Sequence, residues 1–258
     1  MNSESQEKIV KQAAQVVELL EFFANFGRPA TLAEVSRHLG WPRSSTYNLL
    51  MTLARLGYLY EPALKGGFFP STRWASMVEK IRLAEPPSEA MQNLLAHVSQ
   101  ITGETAVIGV ISGTQALFYQ VHESTSLVRF TAAVGQTVPL FATVLGRALL
   151  AQLTKAQREN VLRKTKFTQF TPKTLMSLED IEADISASLE RGWFQGSEGY
   201  SENLAGIAVP LAMPPYSYAL LVSGPTERMK DRMSEIGATL RDAVEEYLRT
   251  TPQLPDRH

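Results

Sequence analysis

The part of the sequence that most restricts the fold is residues 31–55, where two short amphipathic segments flank a tight Gly-Trp-Pro break. Thr31 suits the cap of the first helix, and Glu34, three residues later, completes a capping box. That helix is predicted to end at Gly40, and Pro42 suits the first turn of the next helix, RSSTYNLLMTLARL. The pattern predicts two short helices joined by a sharp turn.

The second of these helices is predicted to have two contrasting faces. Its apolar face consists of Thr46, Leu49, Leu50 and Leu53 at helical spacing. The opposite face is rich in hydroxyl, amide and guanidinium groups, which is typical of a helix that reads DNA. The residues expected to contact DNA are Arg43, Ser44, Ser45, Tyr47, Asn48 and Arg55. An ordinary three-helix unit with a solvated face is the alternative.

The residues after this helix read as a β-hairpin. Tyr58 and Tyr60 alternate with Leu59, a turn covers 62–67, and Phe68 and Phe69 resume an extended run. Lys65 is expected near the tip, where it would reach the DNA backbone. A hairpin in this place predicts a winged helix-turn-helix.

Charge supports this prediction locally and not globally. The whole chain has a net charge of -1, but residues 28–73 contain six basic residues and two acidic ones. A local basic surface is what phosphate contact requires. A scatter of solvated charges is the alternative interpretation.

Helices are also predicted on both sides of this unit. Residues 9–26 form an amphipathic pattern with Ile9, Ala13, Val16, Val17, Leu20 and Phe23 on one face. Residues 71–83 form a second pattern with Trp74, Met77, Val78 and Ile81, which we expect to pack on a partner subunit or on the first helix. Pro86 and Pro87 then suit a boundary. We therefore expect a DNA-binding domain at 1–70, a linker helix at 71–87 and a second domain at 88–258.

The second domain mixes helical and strand patterns, which predicts an α+β fold with an antiparallel sheet. Helices are expected at 88–102, 141–153, 155–163, 178–191 and 226–248. Strands are expected at 104–111, 115–122 and 127–133, and a hairpin at 207–213 and 216–224.

Composition and motifs argue against several classes of protein. The chain has 44% hydrophobic and 20% charged residues and no cysteine, so disulfides and thiolate metal sites are excluded. No run approaches the roughly 20 apolar residues of a membrane helix, and the polar start lacks a secretory signal, so we expect a cytoplasmic protein. Neither a P-loop nor a Rossmann glycine motif is present, and no cofactor is expected.

An enzyme remains a weaker alternative. His122 beside Glu123 is the one plausible base, Glu198 and Glu202 are spaced as metal ligands would be, and Ser223 lacks the motif that activates a serine nucleophile. A second alternative is a winged-helix protein whose C-terminal domain binds another protein. Gain of thermal stability with metabolites would separate a sensor from such a module.

Taken together, these motifs resemble the IclR family of bacterial transcriptional regulators. The resemblance covers about residues 9–248 and rests on the helix-turn-helix segment and on five C-terminal fragments, TGETAVIGVISG, VGQTVPLFATVLGRALLAQL, ERGWFQGSEGY, GIAVPL and VSGP. It implies a winged helix-turn-helix, a linker helix and a GAF-like effector domain. It also implies a homodimer or dimer of dimers that binds a near-palindromic operator in double-stranded DNA, with no membrane partner, and represses or activates a catabolic operon.

The resemblance further implies a pocket for a small effector, often an organic or aromatic acid, on one face of the C-terminal sheet. The implied wall residues are Thr143, Val144, Leu145, Leu204, Gly206, Ala208 and Ser223, with Leu127, Arg129 and Phe141 completing the wall. Family members commonly have Arg-Cys where this chain has Ala205-Gly206. Two hypotheses follow: a roomier pocket for a larger or aromatic ligand, or a neighbouring side chain that fills the space.

Overall fold

The computed structural model describes residues 10–62, 66–84, 88–214 and 216–251. Ile9 and Lys65 lie outside the described residues. The chain divides into two compact units, Met1–Pro86 and Pro87–His258, which are described separately. In the described parts of the chain, no helix is long and apolar enough to cross a lipid bilayer.

The N-terminal unit contains four helices and a two-stranded hairpin in its described residues. The elements are α1 (Lys11–Phe26), α2 (Leu32–Leu39), α3 (Arg43–Arg55), β1 (Leu59–Tyr60), β2 (Phe69–Pro70) and α4 (Thr72–Ala84). β1 and β2 pair antiparallel, so the hairpin predicted to follow the helix that is now α3 is confirmed. The buried centre of the unit consists of Leu19, Phe22, Phe23, Ala30, Val35, Leu50, Leu53, Leu59 and Phe68.

The ends of α2 follow from its sequence. The Thr31 side chain accepts from the backbone N–H of Glu34, while Glu34 accepts from the backbone N–H of Thr31 at 2.8 Å. At the other end, Gly40 adopts φ +67°, a left-handed conformation that glycine reaches without a steric penalty. These two signals fix an eight-residue helix and the sharp turn into α3.

The inward face of α1 differs from the prediction. Leu19, Phe22 and Phe23 are buried, whereas Val17 is 55% exposed. Apolar residues occupy so many consecutive positions of α1 that two overlapping stripes satisfy helical spacing, and tertiary packing selects one of them. The helix was therefore predicted correctly, but its buried face was wrong and differs by a rotation about the helix axis.

The first half of α4 packs on the hairpin. The Trp74 indole N–H donates to the carbonyl of Tyr58 at 2.9 Å, and the two ring centroids are 4.5 Å apart. Val78 and Ile81, further along α4, are 59% and 65% exposed. The predicted apolar stripe of this helix is thus divided between a packed half and a half that the described residues of its own unit do not cover.

The C-terminal unit has a mixed sequence of helices and strands. Its elements are α5 (Glu89–Thr102), β3 (Thr105–Ser112), β4 (Gln115–His122), β5 (Thr137–Pro139), α6 (Val144–Leu150), α7 (Lys155–Arg163), α8 (Leu178–Arg191), β6 (Phe194–Ser197), β7 (Leu204–Met213), β8 (Tyr216–Pro225), α9 (Thr226–Met229), a 3-10 turn (Lys230–Arg232) and α10 (Met233–Thr250). The strands form one antiparallel sheet in the order β5-β4-β3-β8-β7-β6. The predicted α+β class is confirmed.

Helices cover both faces of this sheet, because successive side chains of a strand point to opposite sides. On one face, Val107, Phe118 and Leu221 pack with residues of α6 and α8. On the other face, Ala106, Ile207 and Val222 pack with residues of α5 and α10. The sheet therefore separates two cores, and β3, β4, β7 and β8 contribute side chains to both.

The strand predicted at 127–133 does not form. Side chains hold this segment instead: the Thr105 hydroxyl donates to the Phe130 carbonyl at 2.6 Å, and the Ala132 N–H donates to the Glu123 carboxylate at 3.2 Å. The pairing with β4 begins only at Thr137. The segment contains β-forming residues, but hydrogen bonds with polar side chains distant in sequence hold it in a non-strand conformation.

Helix α6 lies unusually close to the chain that precedes it. A Cβ added at Gly146 would lie 2.1 Å from the carbonyl oxygen of Leu140 and 2.4 Å from its Cα. Only a residue without a side chain allows this approach. Gly146 therefore fixes the position of α6 and, with it, the side chains that α6 directs toward the sheet.

Candidate functional site

The outer face of α3 presents every described residue expected there. Thr46, Leu50 and Leu53 are buried, which directs the other side of the helix to solvent. Tyr47, at its centre, is 50% exposed. The residues exposed on this side are Arg43, Ser44, Ser45, Tyr47, Asn48 and Arg55. Lys65, the remaining residue of the predicted set, lies outside the described residues.

The basic residues near this face differ in how they are engaged. Arg28 forms an ion pair with Glu34 at 2.8 Å and lies over the Phe26 ring, and Arg73 donates to the Leu56 carbonyl and lies over the Tyr58 ring. Within the described part of the unit, Arg43 and Arg55 form no ion pair and donate no side-chain hydrogen bond. Their guanidinium groups are therefore free to bind an anion.

Glu34 is strongly perturbed at the start of α2. The backbone N–H of Thr31, followed by the guanidinium of Arg28, lowers the pKa of Glu34 from 4.5 to about 2. Both donors prefer the ionised carboxylate. The negative charge of Glu34 is thus engaged by the cap of α2 and by Arg28. It does not form an ion pair with Arg43 or Arg55, which the structure describes on the outer face of α3.

The C-terminal unit contains a cavity of about 360 Å³ on the sheet face that packs with α6 and α8. Residues of β4, β5, β6, β7 and β8 line it, together with residues of α6 and α8. Much of its lining is apolar and includes Phe118, Phe130, Val138, Ala142, Val144, Leu145, Leu175, Leu204 and Leu221.

Six of the residues named from the sequence line this cavity. They come from three separate elements, α6 with its cap, β7 and β8, and are Thr143, Val144, Leu145, Leu204, Gly206 and Ser223. The Ser223 hydroxyl donates to the Ala205 carbonyl at 2.8 Å, and its oxygen remains able to accept.

Four other named residues do not line it. Ala208 and Phe141 are buried in the core beside the cavity, and Phe141 packs on the ring of Phe167 with centroids 4.7 Å apart. Arg129 is turned toward Glu123, with which it pairs at 3.2 Å, and Leu127 is 99% exposed. Both lie in the segment that was expected to be a strand, so the sequence misplaced their side chains.

The sequence did not single out the charged residues of the wall. Arg147 of α6 is only 6% exposed, and its Nε donates to the carboxylate of Asp184 on α8. Lys173 pairs with Glu198 at 2.6 Å, which lowers the pKa of the Glu198 carboxyl. These residues come from four places in the chain, and no local pattern joins them.

A strap of residues 170–174 holds one side of the cavity. The hydroxyl of Thr171 donates to the carbonyl of Glu198, and that of Thr174 donates to the carbonyl of Gly199 at 2.8 Å. Glu198 adopts φ +61°, a conformation uncommon for a residue with a side chain. The strap therefore stabilises a wall segment that has no strand partner of its own at Gly199 and Tyr200.

The space opposite Gly206 is occupied by neighbours. A Cβ built there would lie 3.2 Å from Cδ1 of Leu221 and 3.8 Å from Cβ of Val144. Around Gly206, neighbouring side chains therefore fill the space, as the second of the two hypotheses for this position states. The volume of the cavity comes from the other residues that line it.

The residues considered for catalysis are not assembled into a site. His122 is exposed at the end of β4, and Glu198 is engaged by Lys173. No group of three or more His, Cys, Asp or Glu that could hold a metal occurs among the residues that the structure describes.

Comparison with known proteins agrees with both units. The IclR helix-turn-helix domain matches residues 13–62, and the C-terminal domain of bacterial IclR transcriptional regulators matches residues 85–248. The HTH-type transcriptional repressor AllR of Escherichia coli K12 is 26% identical over 249 residues, covering 92% of this chain and 90% of AllR. The acetate operon repressor of Salmonella typhimurium is 28% identical over 250 residues, covering 92% and 88%.

A solved structure shows the same fold. An IclR homolog from Microbacterium hydrocarbonoxydans, complexed with 4-hydroxybenzoate, has a TM-score of 0.69 at 22% identity and covers 93% of this chain and 100% of its own. These curated relatives are transcriptional repressors, which supports a regulator over the enzyme considered as an alternative. The polar face of α3, the hairpin and the sheet with its cavity are the parts of a DNA-binding transcriptional regulator with an effector-binding domain, and the chain belongs to the IclR family.

Proposed function

We propose that the effector is a small aromatic acid and that the protein controls an operon for the breakdown of such an acid. The observation that carries the proposal is the cavity of about 360 Å³ with its largely apolar wall. A cavity of about 150 Å³ already accepts benzene, so a substituted ring fits here. The relative complexed with 4-hydroxybenzoate supports the same class of ligand.

On DNA, residues 1–70 act as the binding domain, with α3 in the major groove. Asn48 and Arg43 are suited to bidentate contacts with base edges, while Ser44, Ser45 and Arg55 hold phosphates. Tyr47 lies between these groups on the exposed face of the helix. Lys65, which the sequence predicts to lie in the wing, adds a phosphate contact.

The active form is a homodimer or a dimer of dimers on a near-palindromic operator. The exposed Val78 and Ile81 of α4 support this assembly, because burial of apolar surface in a partner stabilises a dimer. Residues 71–87 then serve as the linker between the DNA-binding domain and the effector domain at 88–258. Two half-sites on one dimer raise the affinity through effective concentration.

Selection of genomic DNA fragments with the purified full chain tests the DNA part of the proposal. We expect enrichment of a near-palindromic site, with affinity that falls steeply as salt rises. The genes beside the site would then name candidate ligands. Enrichment of half-sites alone would overturn the dimeric operator, and no enrichment would overturn this mode of DNA contact.

Thermal unfolding with a panel of benzoates and short aliphatic acids tests the effector part. A ligand at 100 times its Kd stabilises the folded chain by about 2.7 kcal/mol. We expect stabilisation by aromatic acids and little by acetate or glyoxylate. Stabilisation by the aliphatic acids alone would contradict an aromatic effector, and no response to any acid would favour a protein-interaction domain.

A further inference from the structure

In three arginine–carboxylate pairs of the described C-terminal unit, one side chain is less than 15% exposed, and one of these pairs is built differently. Arg158 uses Nε and Nη2 to bind both oxygens of Glu182, at 2.9 and 2.8 Å, and its Nη1 donates to the Leu153 carbonyl. Arg228 likewise binds both oxygens of Glu104, at 2.7 Å each. In both pairs the carboxylate is held by two parallel N–H groups.

The third pair, in the cavity wall, leaves donors unused. Arg147 reaches Asp184 through Nε alone, and its Nη1 is 3.5 Å from the Phe141 carbonyl. Its Nη2 has no hydrogen-bond partner in the part of the chain that the structure describes. Arg147 as a whole is only 6% exposed and lines the cavity, so this charged donor faces the cavity and little bulk solvent.

The cavity is open beside this nitrogen because residue 196 is a glycine. A Cβ at Gly196 would lie 3.4 Å from Nη2 of Arg147 and 3.2 Å from Cγ2 of Val144. Any side chain there would therefore cover the free donor. Gly196 pairs with Gly206 across β6 and β7, so both strands present bare backbone at this point.

We propose that Arg147 binds the carboxylate of the effector through its Nη1–Nη2 edge, with Gly196 keeping the approach open and Asp184 fixing the guanidinium through Nε. This inference rests on the proposed aromatic-acid effector and names the residue that recognises its acid group. The ring of the ligand lies against the apolar wall formed by Phe118, Phe130 and Leu221. Asp184 also lines the cavity, and its ion pair with Arg147 offsets its negative charge toward the incoming anion.

The test compares an acid with its neutral isostere on the full chain. The probes are 4-hydroxybenzoate and 4-hydroxybenzamide, and calorimetry gives the Kd of each. The wild type is expected to prefer the acid. R147M is expected to weaken acid binding roughly 10- to 100-fold and to change amide binding little, since one charged hydrogen-bonded contact is lost. R147K keeps the charge but not the fork, and is expected to recover part of the preference.

Two further variants separate recognition from folding. R158M removes a comparable ion pair to α8 outside the cavity wall, and it is expected to keep the wild-type ratio of acid to amide affinity. G196A adds the Cβ beside Nη2 and leaves Arg147 in place, so it is expected to lower that ratio even if R147M does not fold.

Each result decides between the two proposals. If the wild type binds the acid and its amide equally, or if R147M and G196A retain the wild-type preference, the role of Arg147 is overturned while the aromatic effector stands. If the wild type binds neither 4-hydroxybenzoate nor any other benzoate, the aromatic effector itself is overturned, and the role of Arg147 with it.

Discussion

At the scale of single residues, a hydrogen-bonded carboxylate holds a key element of each unit: Glu34 caps α2, and Asp184 holds Arg147 in the cavity wall. The capping box of Thr31 and Glu34 was predicted from four consecutive letters and is present. Arg147 was not predicted, because its partner Asp184 is 37 residues away and on another helix. Short-range hydrogen bonds leave a sequence pattern, whereas a cavity wall assembled from distant elements leaves none.

Glu34 provides a residue-scale prediction. Its pKa in the folded chain, about 2, lies below the ordinary value of 4.5, so its contribution to stability is complete above pH 4.5 and is lost as the pH falls toward 2. An NMR titration of the carboxyl carbon should show this low pKa directly. In R28M the pKa should rise only partway, because the Thr31 N–H, the larger cause, remains. An unshifted Glu34 in the wild type would contradict the capping geometry.

At the scale of elements, periodicity located most helices and several strands but not always their faces or ends. α8 and α7 were predicted with the bounds observed, 178–191 and 155–163. The helix expected at 141–153 is only Val144–Leu150, and β6 was not predicted. β6 is four residues long and contains a glycine, so its pattern is too short to detect. Its position in the sheet is decided by pairing with β7.

The approach of α6 to Leu140 leads to an element-scale prediction. In an isolated helix, Gly→Ala favours folding by up to about 1 kcal/mol. In G146A the new Cβ would meet backbone atoms at 2.1 to 2.5 Å, so we expect a net loss of about 1–3 kcal/mol in the free energy of unfolding. Urea denaturation measures it.

The matched control for this substitution is G206A. Its new Cβ would meet the side chain of Leu221 at 3.2 Å, and a side chain can move. A loss below about 1 kcal/mol is expected. Equal stability losses in the two variants would show that the backbone contact at Leu140 is not what requires glycine at 146.

The outer face of α3 allows a second element-scale prediction. N48A should lose about 1–3 kcal/mol of binding to the selected operator and relax the preference at one base pair, because an amide reads a base edge. R55A should weaken binding to all sequences alike and reduce the slope of log K against log salt by about one. Binding titrations at several salt concentrations distinguish these outcomes. If N48A instead weakened binding to all DNA sequences equally, Asn48 would be assigned to the phosphate contacts.

At the scale of the whole molecule, the two-domain plan with an α+β C-terminal unit was predicted and agrees with the family match. The plan was predictable because helix-turn-helix chemistry and alternating strand patterns are both local. The ligand was not predictable from the sequence, because the size and charge of the cavity depend on side chains from five strands, two helices and a strap.

A regulator of this plan should obey reciprocal linkage, which is a prediction for the full chain. If an effector changes operator affinity by a given factor, the operator must change effector affinity by the same factor. Calorimetric titration of the effector into the free chain and into the chain–operator complex measures one factor, and DNA titration with and without effector measures the other. A change in one affinity with no change in the other would show that an unaccounted species, such as a second oligomer, takes part.

The alternation of side chains along β7 has a consequence for how a signal crosses the effector domain. Gly206 borders the cavity, and Ile207, the next residue, packs in the core with α5 and α10. A displacement of β7 on one side of the sheet therefore also displaces side chains in the core on the other side, without a hinge. A ligand that displaces β7 by a fraction of an ångström would therefore also displace α10, the helix that packs on the opposite side of this strand. Ligand binding in the cavity would thus be coupled to the opposite core across the thickness of a single strand.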